Sequence, residues 1–132
     1  MADPPRVLIV EDNDDIRLLL ARLVQQDIPS IQIYLAQTLA DGQALLRTQT
    51  VDILLIDPRL PDSTGYHTIH ALMDAAPHAV AAIITGYPTP EDMARVLASG
   101  AHAYYDKFEL LRDWHQVQLL HALIAAVTLH GT

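Results

Sequence analysis

Four apolar stretches of this sequence end at or beside polar residues that could take part in chemistry. Glu11 and Asp12 follow "VLIV", and Asp57 ends "VDILLID". Thr85 ends "AVAAIIT", and Lys107 comes just after "AHAYY". Lys107 is also the single lysine among the 8 Lys and Arg residues of the chain. Chance could leave one lysine at any surface position, whereas a functional site could require a compact ammonium that a planar guanidinium does not replace.

The three acidic residues among them could form a metal site. Three carboxylates gathered at one place would repel one another and raise one another's pKa unless they share a cation. A hard divalent ion with oxygen ligands relieves that repulsion, and Mg²⁺ also keeps open positions for water. Glu11, Asp12 and Asp57 are therefore candidate ligands of Mg²⁺. For Glu11 and Asp12 the alternative is a favourable place near a helix N-terminus, and the two roles can coexist.

Apolar stretches and helical patterns alternate along the chain, and these elements must position the polar residues. We predict strands at Val7–Val10, Ile31–Ala36, Val51–Asp57, Ala79–Thr85 and Ala101–Tyr105. The apolar spacing predicts a first helix with a core-facing stripe made of Ile16, Leu19, Leu20, Leu23 and Val24. Capping residues and apolar spacing predict further helices at about 38–48, 66–76, 89–100 and 109–130.

This order of elements indicates the fold class. Five strands that alternate with five helices favour an α/β fold with an open, mostly parallel sheet covered on both faces. In such a sheet the carboxyl ends of the strands meet at one edge, and ligands bind there, where the strand order reverses. We therefore expect the polar residues at the strand ends to converge on one edge of the sheet.

Composition and charge exclude several classes of protein. The 132 residues fit one domain, residues 1–132, and a net charge of −8 argues against direct nucleic-acid binding. Without cysteine there are no disulfides, thiolate metal sites or cysteine nucleophiles. No apolar run approaches the ~20 residues of a membrane span, and "MADPPRV" is not typical of a signal peptide. We expect a cytoplasmic domain with no membrane partner. Glycine-rich phosphate loops of the dinucleotide and P-loop kinds are also absent from the sequence.

Four segments together resemble the receiver domain of two-component response regulators, the CheY-like family. They are "VLIVEDNDDIRLLL", "DILLIDPRLPDSTGY", "AAIITGY" and "AHAYYDKF". Each segment alone is weakly specific, but the four occur in order and the similarity runs from about Arg6 to the last helix. The resemblance implies a flavodoxin-like, doubly wound (βα)5 fold with a five-stranded parallel sheet in strand order 2-1-3-4-5.

The resemblance implies a role for each polar residue. Asp57 is similar to the phosphoacceptor, a carboxylate nucleophile that forms an acyl phosphate. Asp12 and Asp57 would bind Mg²⁺ directly, Glu11 would do so mainly through water, and the backbone carbonyl of Arg59 would be a further ligand. Phosphoryl transfer depends mainly on positioning and on neutralising the phosphoryl oxygens, which these groups could supply.

The resemblance also implies a switch. Thr85 would donate its hydroxyl to a phosphoryl oxygen, and Lys107 would pair with the carboxylate at rest and with the phosphoryl group afterwards. Tyr104 matches the aromatic residue that rotates inward when the threonine shifts. Such a chain is a signalling module and not an enzyme, apart from its own phosphorylation and dephosphorylation.

The partners follow from the same resemblance. They are a sensor histidine kinase or histidine phosphotransfer protein and a downstream protein target. A homodimer could form through the last two helices and the fifth strand, because Leu119, Leu123 and Ala126 make a second apolar row on the last helix. The alternative for this row is deep packing of a terminal helix. Whether the receiver stands alone or belongs to a larger regulator stays open.

The chain departs from the family at one residue and carries unusual ones at three others. Phe108 follows Lys107 where receivers usually have a proline after a cis bond, so we expect the loop after the fifth strand to differ. Pro58, Arg59 and Tyr87 occupy positions that tune phosphoryl lifetime in the family. A bulky Tyr87 and a charged Arg59 could restrict or redirect the attacking water, in a direction that the sequence does not specify.

Other functions fit the residues less well. A degenerate receiver that acts as a phosphorylation-independent binding or dimerisation module remains an alternative because of Phe108. Haloacid dehalogenase phosphatases need a second carboxylate two residues after the nucleophile, and Arg59 stands there. His67 and His70 share a helix face, but no third ligand has suitable spacing, so we interpret them as a solvated face.

Overall fold

The computed structural model of the chain describes residues 3–130, which form short strands alternating with helices. The strands are β1 (Arg6–Val10), β2 (Gln32–Ala36), β3 (Ile53–Ile56), β4 (Arg59–Leu60), β5 (Ser63–Thr64), β6 (Val80–Thr85) and β7 (Ala103–Asp106). The helices are α1 (Asp14–Asp27), α2 (Leu39–Thr48), α3 (Tyr66–Ala75), α4 (Pro90–Ala98), α5 (Lys107–Arg112), α6 (Trp114–Val117) and α7 (Leu119–His130). None of the described helices is both long enough and apolar enough to cross a lipid bilayer.

Five of the strands form one parallel sheet in the order β2-β1-β3-β6-β7. Counting only these five along the chain gives the order 2-1-3-4-5, so the predicted flavodoxin-like α/β fold is confirmed. The strand order reverses at β1, which pairs with β2 on one side and with β3 on the other. The carboxyl ends of β1 and β3 therefore border the crevice where ligands bind in such sheets.

The three central strands are buried on both faces, as their nearly continuous apolar sequences predict. Side chains alternate between the faces. Ile9, Leu55 and Ile84 pack in one core cluster with α1 and the last helices. Leu8, Leu54 and Ile83 pack in the other with α2 and α3. Two cores on a stiff sheet hold the strand ends, and so the candidate site residues, in fixed relative positions.

The core-facing stripe of α1 differs from the prediction. Its buried residues are Arg17, Leu20 and Val24, whereas Leu19, which we placed on the stripe, is 40% exposed. The apolar pattern alone favoured Leu19 because it cannot detect an arginine that is buried through its own polar contacts. Leu18 beside it is also exposed.

The predicted single last helix is wrong, because three segments replace it. The C-cap residue of α5 is Asp113, and that of α6 is Gln118, a residue in the left-handed region with φ 54°. The Trp114 indole donates from Nε1 to Asp27 Oδ2 at 2.8 Å and ties α6 to the end of α1. Lys107 is the first residue of α5 and directly follows β7. Neither break carries a glycine or proline that the sequence could have revealed.

The second apolar row of the last helix lies in the core. Leu119, Leu123 and Ala126 pack in the same cluster as Ile9 and Leu55. Deep packing, the alternative to a dimer surface, is therefore what these residues show. The homodimer prediction rested on this apolar row. Because the sheet already covers these residues, they offer no surface to a partner.

A short antiparallel hairpin of β4 and β5 was missed, because its sequence, "PRLPDSTG", looks like a turn. Asp62 lies between its two strands and caps α2. Its Oδ1 accepts from the Leu39 amide at 2.9 Å and its Oδ2 accepts from the Ala40 amide at 3.0 Å. These bonds lower the pKa of Asp62 because they favour the charged carboxylate. The hairpin that follows the candidate nucleophile is thus fastened to a helix.

The packing of α7 makes a prediction about stability. Leu123→Ala removes a side chain that is 1% exposed and leaves a cavity against the sheet. We expect it to lower the free energy of unfolding by about 2–5 kcal/mol. Urea unfolding followed by Trp114 fluorescence measures the loss. Leu18→Ala, at a position 54% exposed, is the control and changes stability by less than about 0.5 kcal/mol. Equal small losses for both variants would contradict the core position of α7.

Candidate functional site

The carboxyl ends of β1 and β3 carry the acidic residues. Glu11 and Asp12 directly follow β1, and Asp57 directly follows β3. The Glu11 amide donates to the Ala36 carbonyl at 3.0 Å, so pairing of β1 with β2 continues to Glu11. The Asp57 amide donates to the Val10 carbonyl, also at 3.0 Å. The backbone bearing both acids is thus an extension of the sheet and shares its rigidity.

Glu11, Asp12 and Asp57 form one acidic cluster. Each offers a carboxylate oxygen, and these oxygens lie within 4.8 Å of one another. Glu11 and Asp57 are buried, while Asp12 is exposed and forms the open side of the cluster. Oxygen ligands with an open, solvated side are the kind of set that Mg²⁺ prefers.

Lys107 lies between the two buried carboxylates. Its Nζ donates to Asp57 Oδ2 at 2.8 Å and lies 2.6 Å from Glu11 Oε1. The Glu11 contact is a buried ion pair, so one ammonium bridges two buried carboxylates. The structure therefore brings together Lys107 and all three acids.

The charges of this cluster do not balance. Three carboxylates and one ammonium leave two formal negative charges. Burial raises the pKa of Glu11 to about 7, and the neighbouring Asp57 adds to the rise while Lys107 opposes it. Burial lowers the pKa of Lys107, but its contacts with Asp57 and Glu11 outweigh that effect and the net shift is upward. A charged lysine among three clustered carboxylates leaves excess negative charge, which fits a divalent cation.

The second oxygen of Asp57 is held by the loop that follows it. Oδ1 accepts from the Arg59 amide at 2.9 Å, which fixes the orientation of the carboxylate. At the end of β6, the buried Thr85 oxygen Oγ1 accepts from the Tyr87 amide at 3.1 Å. A hydroxyl that accepts in this way keeps its own O–H free to donate.

The side chains of Arg59 and Tyr87 bridge those two loops. The Arg59 guanidinium carbon lies 4.0 Å from the centroid of the Tyr87 ring, in a cation–π arrangement. Both residues were singled out from the sequence for their positions, but their contact was not predicted. This stack joins two loops: the one whose Arg59 amide donates to Asp57 and the one whose Tyr87 amide donates to Thr85.

Thr85 and Tyr104 line a cavity beside the acidic cluster, and they do not belong to the cluster itself. The cavity has a volume of about 390 Å³ and lies between the loop that follows Asp57, α3 and α4. The half-buried Tyr104 accepts through its hydroxyl from the Thr89 amide at 3.3 Å. Tyr105 next to it packs in the opposite core cluster, as strand alternation predicts.

The helix α4 borders this cavity and has one buried residue together with several polar contacts. Val96 is the buried residue of α4. The Tyr66 hydroxyl donates to Asp92 Oδ1 at 3.2 Å, and the Arg95 guanidinium carbon lies 3.6 Å from the centroid of the Tyr66 ring. His70 makes a ring contact with Tyr66, and like His67 it is exposed.

Phe108, the departure from the family pattern, does not remove Lys107 from the cluster. Within the described residues every peptide bond is trans. Asp106 caps α5 by accepting from the Phe108 amide at 2.9 Å and the Glu109 amide at 3.1 Å. The Phe108 ring is 62% exposed and packs against Gly86.

Known proteins share this sequence pattern and fold. The model of the response regulator receiver domain family matches residues 7–118. The photosynthetic apparatus regulatory protein RegA of Rhodovulum sulfidophilum is 28% identical over 107 residues, which cover 81% of this chain but only 57% of RegA. The chain thus spans little more than half the length of this curated relative.

Solved structures agree in fold. A CheY-like receiver domain protein of Methanospirillum hungatei has a TM-score of 0.80 at 24% identity and 97% coverage of both chains. A Burkholderia pseudomallei response regulator, described with a phosphorylated aspartic acid, calcium ion and citrate, has a TM-score of 0.69 at 21% identity. That match covers 90% of this chain and 74% of the other. With its sheet order, its acidic edge and the family match over most of its length, this chain belongs to the response regulator receiver domain family.

Proposed function

We propose that this receiver accepts a phosphoryl group on Asp57 in a Mg²⁺-dependent reaction and thereby switches a protein-interaction surface. The donor is a sensor histidine kinase or a histidine phosphotransfer protein, and the acceptor of the signal is a downstream protein. The observation that carries the proposal is the buried Asp57 carboxylate, bonded to Lys107 at 2.8 Å and clustered with Glu11 and Asp12. The phosphorylated aspartic acid of the Burkholderia relative supports the same chemistry on this fold.

The reaction exchanges one bond for another. A carboxylate oxygen of Asp57 forms an O–P bond while the N–P bond of the donor phosphohistidine breaks and the imidazole leaves. Asp12 and Asp57 would bind Mg²⁺ directly, Glu11 through water, and the Arg59 carbonyl would complete the protein ligands. A bound Mg²⁺ supplies neutralisation of the phosphoryl oxygens.

Lys107 and Thr85 supply the remaining donors. The ammonium that now bonds to Asp57 Oδ2 sits on a flexible stem and can follow the negative charge to a phosphoryl oxygen. The Thr85 hydroxyl has its O–H free to donate to a second phosphoryl oxygen. Thr85 movement would open space for Tyr104 in the adjoining cavity, and that rearrangement would change the surface of α4.

No specific observation favours the alternative function, a phosphorylation-independent binding module. Phe108 suggested it, yet Lys107 contacts both buried carboxylates with Phe108 in place. We also propose that residues 1–132 act as one receiver domain in the cytoplasm. Beyond its own phosphorylation and dephosphorylation, we propose no enzymatic activity for it.

Incubation with a small phosphodonor tests the proposal directly. Wild-type protein with acetyl phosphate and Mg²⁺ should gain the mass of a single phosphoryl group in intact-mass spectrometry. Asp57→Asn and a chelator should each abolish the gain, because they remove the nucleophile or the cation. Asp74→Asn, an exposed aspartate on α3, is the matched control and should be phosphorylated like wild type. A wild type that stays unmodified with acetyl phosphate and with phosphohistidine donors would leave the degenerate receiver as the better description.

A second prediction concerns the identity of the lone lysine. Lys107→Arg keeps the charge, but the planar fork favours one arrangement with the carboxylate, so we expect the response to phosphorylation to be impaired. Amide NMR spectra before and after phosphorylation measure that response, with smaller shifts expected over residues 85–98. Arg112→Lys, the reverse exchange in an exposed ion pair, should leave the response unchanged. Shifts of wild-type size in Lys107→Arg would mean that the lysine is there by chance.

A further inference from the structure

Arg17 is a buried charged residue for which the proposed chemistry has no role. It lies on the core-facing side of α1, and its side chain is 9% exposed. Arginine is seldom buried unless it is paired, so its contacts indicate why it is there. An apolar residue at this position would continue the stripe of Leu20 and Val24 without any polar group to satisfy.

The guanidinium of Arg17 makes two contacts at once. Nη1 donates to the backbone carbonyl of Glu11 at 3.0 Å, and Nη2 donates to Asp14 Oδ1 at 2.6 Å. The bond to Glu11 is buried, whereas the Asp14 side chain is 75% exposed. The fork of a guanidinium allows both bonds in one plane, and a lysine could not reproduce that arrangement.

The Glu11 carbonyl belongs to the peptide that joins Glu11 to Asp12. The orientation of this peptide directs Glu11 inward to Lys107 and Asp12 outward to the open side of the cluster. On its other side, the Asn13 amide donates to Glu11 Oε2 at 3.2 Å. The short segment between β1 and α1 is thus held by Arg17 from the helix and by Glu11 from the strand.

Arg17 also carries a positive charge close to the acidic cluster. By Coulomb interaction alone, such a charge weakens the binding of a divalent cation. The burial of Arg17 here is understandable if the backbone geometry that it imposes strengthens cation binding by more than its charge weakens it. Groups that orient metal ligands commonly change metal affinity 10–100-fold when removed.

We propose that Arg17 is a positioning residue that holds the Glu11–Asp12 peptide so that Asp12 binds a divalent cation together with Asp57. The inference rests on the proposed function, because it assumes that Mg²⁺ binds to the acidic cluster. It adds a residue outside the ligand set and assigns it an effect on metal affinity. The sign of that effect separates positioning from simple electrostatics.

Titration of the protein with MgCl₂, followed by amide NMR, measures the effect. Arg17→Met keeps an apolar stem of similar length but loses both hydrogen bonds, and we expect Mg²⁺ affinity to fall about 10–100-fold. Arg22→Met makes the same charge change at an exposed position of α1 and should leave affinity unchanged or slightly higher. Thermal unfolding in the presence of a chelator checks that each variant is folded.

A second pair of variants covers the case in which Arg17→Met does not fold. Asp14→Ala and Asp15→Ala each remove one exposed carboxylate in the first turn of α1, but only Asp14 contacts Arg17. Both changes weaken Mg²⁺ binding through charge alone, and Asp14→Ala should weaken it further because Arg17 loses the acceptor of its second hydrogen bond. Equal affinities for these two variants would argue against positioning.

The outcomes separate the two proposals. If wild type binds Mg²⁺ and Arg17→Met binds it equally or more tightly, the positioning role is wrong while the proposed function stands. If wild type itself does not bind Mg²⁺, the proposed function fails and the inference fails with it. Weaker binding in Arg17→Met but not in Arg22→Met supports the positioning role.

Discussion

The ammonium of Lys107 between two buried carboxylates is the interaction on which the site depends. Glu11 and Asp57 end neighbouring strands, so the sheet itself forces their like charges together in a place with little water. Buried charges of one sign are costly unless a cation neutralises them. The lysine, 50 residues after Asp57, supplies that cation from the first position of α5, directly after β7. Its single charge does not neutralise three acids, and the remaining excess is what a divalent ion can match.

The same imbalance explains how a local reaction can be transmitted. In the proposed reaction a phosphoryl group on Asp57 would add negative charge, and Lys107 and Thr85 would be the donors to its oxygens. Thr85 ends β6 and lines the cavity beside α4. That helix buries Val96 and makes polar contacts with Tyr66. A rigid sheet carries the site and a weakly packed helix borders it. Motion is therefore expected at α4 and not in the core.

Hydrophobic periodicity predicted the alternation of strands and helices and a mostly parallel sheet, whereas the strand order came from the family resemblance. Because parallel strands place their carboxyl ends together, the strand ends also indicated the acidic edge. Periodicity could not show Arg17 at a buried position, since that burial depends on two specific hydrogen bonds. Nor could it separate a dimer surface from the core for Leu123, because a helix that is apolar on several sides satisfies both. The break at Gln118 lacks a local signal, because the residue in the left-handed region is a glutamine and not the glycine or asparagine that usually marks such a helix end.

Phe108 shows how a departure from a family pattern can be compensated locally. Its amide donates to Asp106, and this bond helps to start α5 at Lys107. A proline at this position would have no N–H to give, so the capping role of Asp106 and the absence of proline belong together. The first residue of a capped helix has a defined backbone direction, which here sends Lys107 toward Asp57. The lysine is thus positioned by a helix cap, using residues that immediately flank it in the sequence.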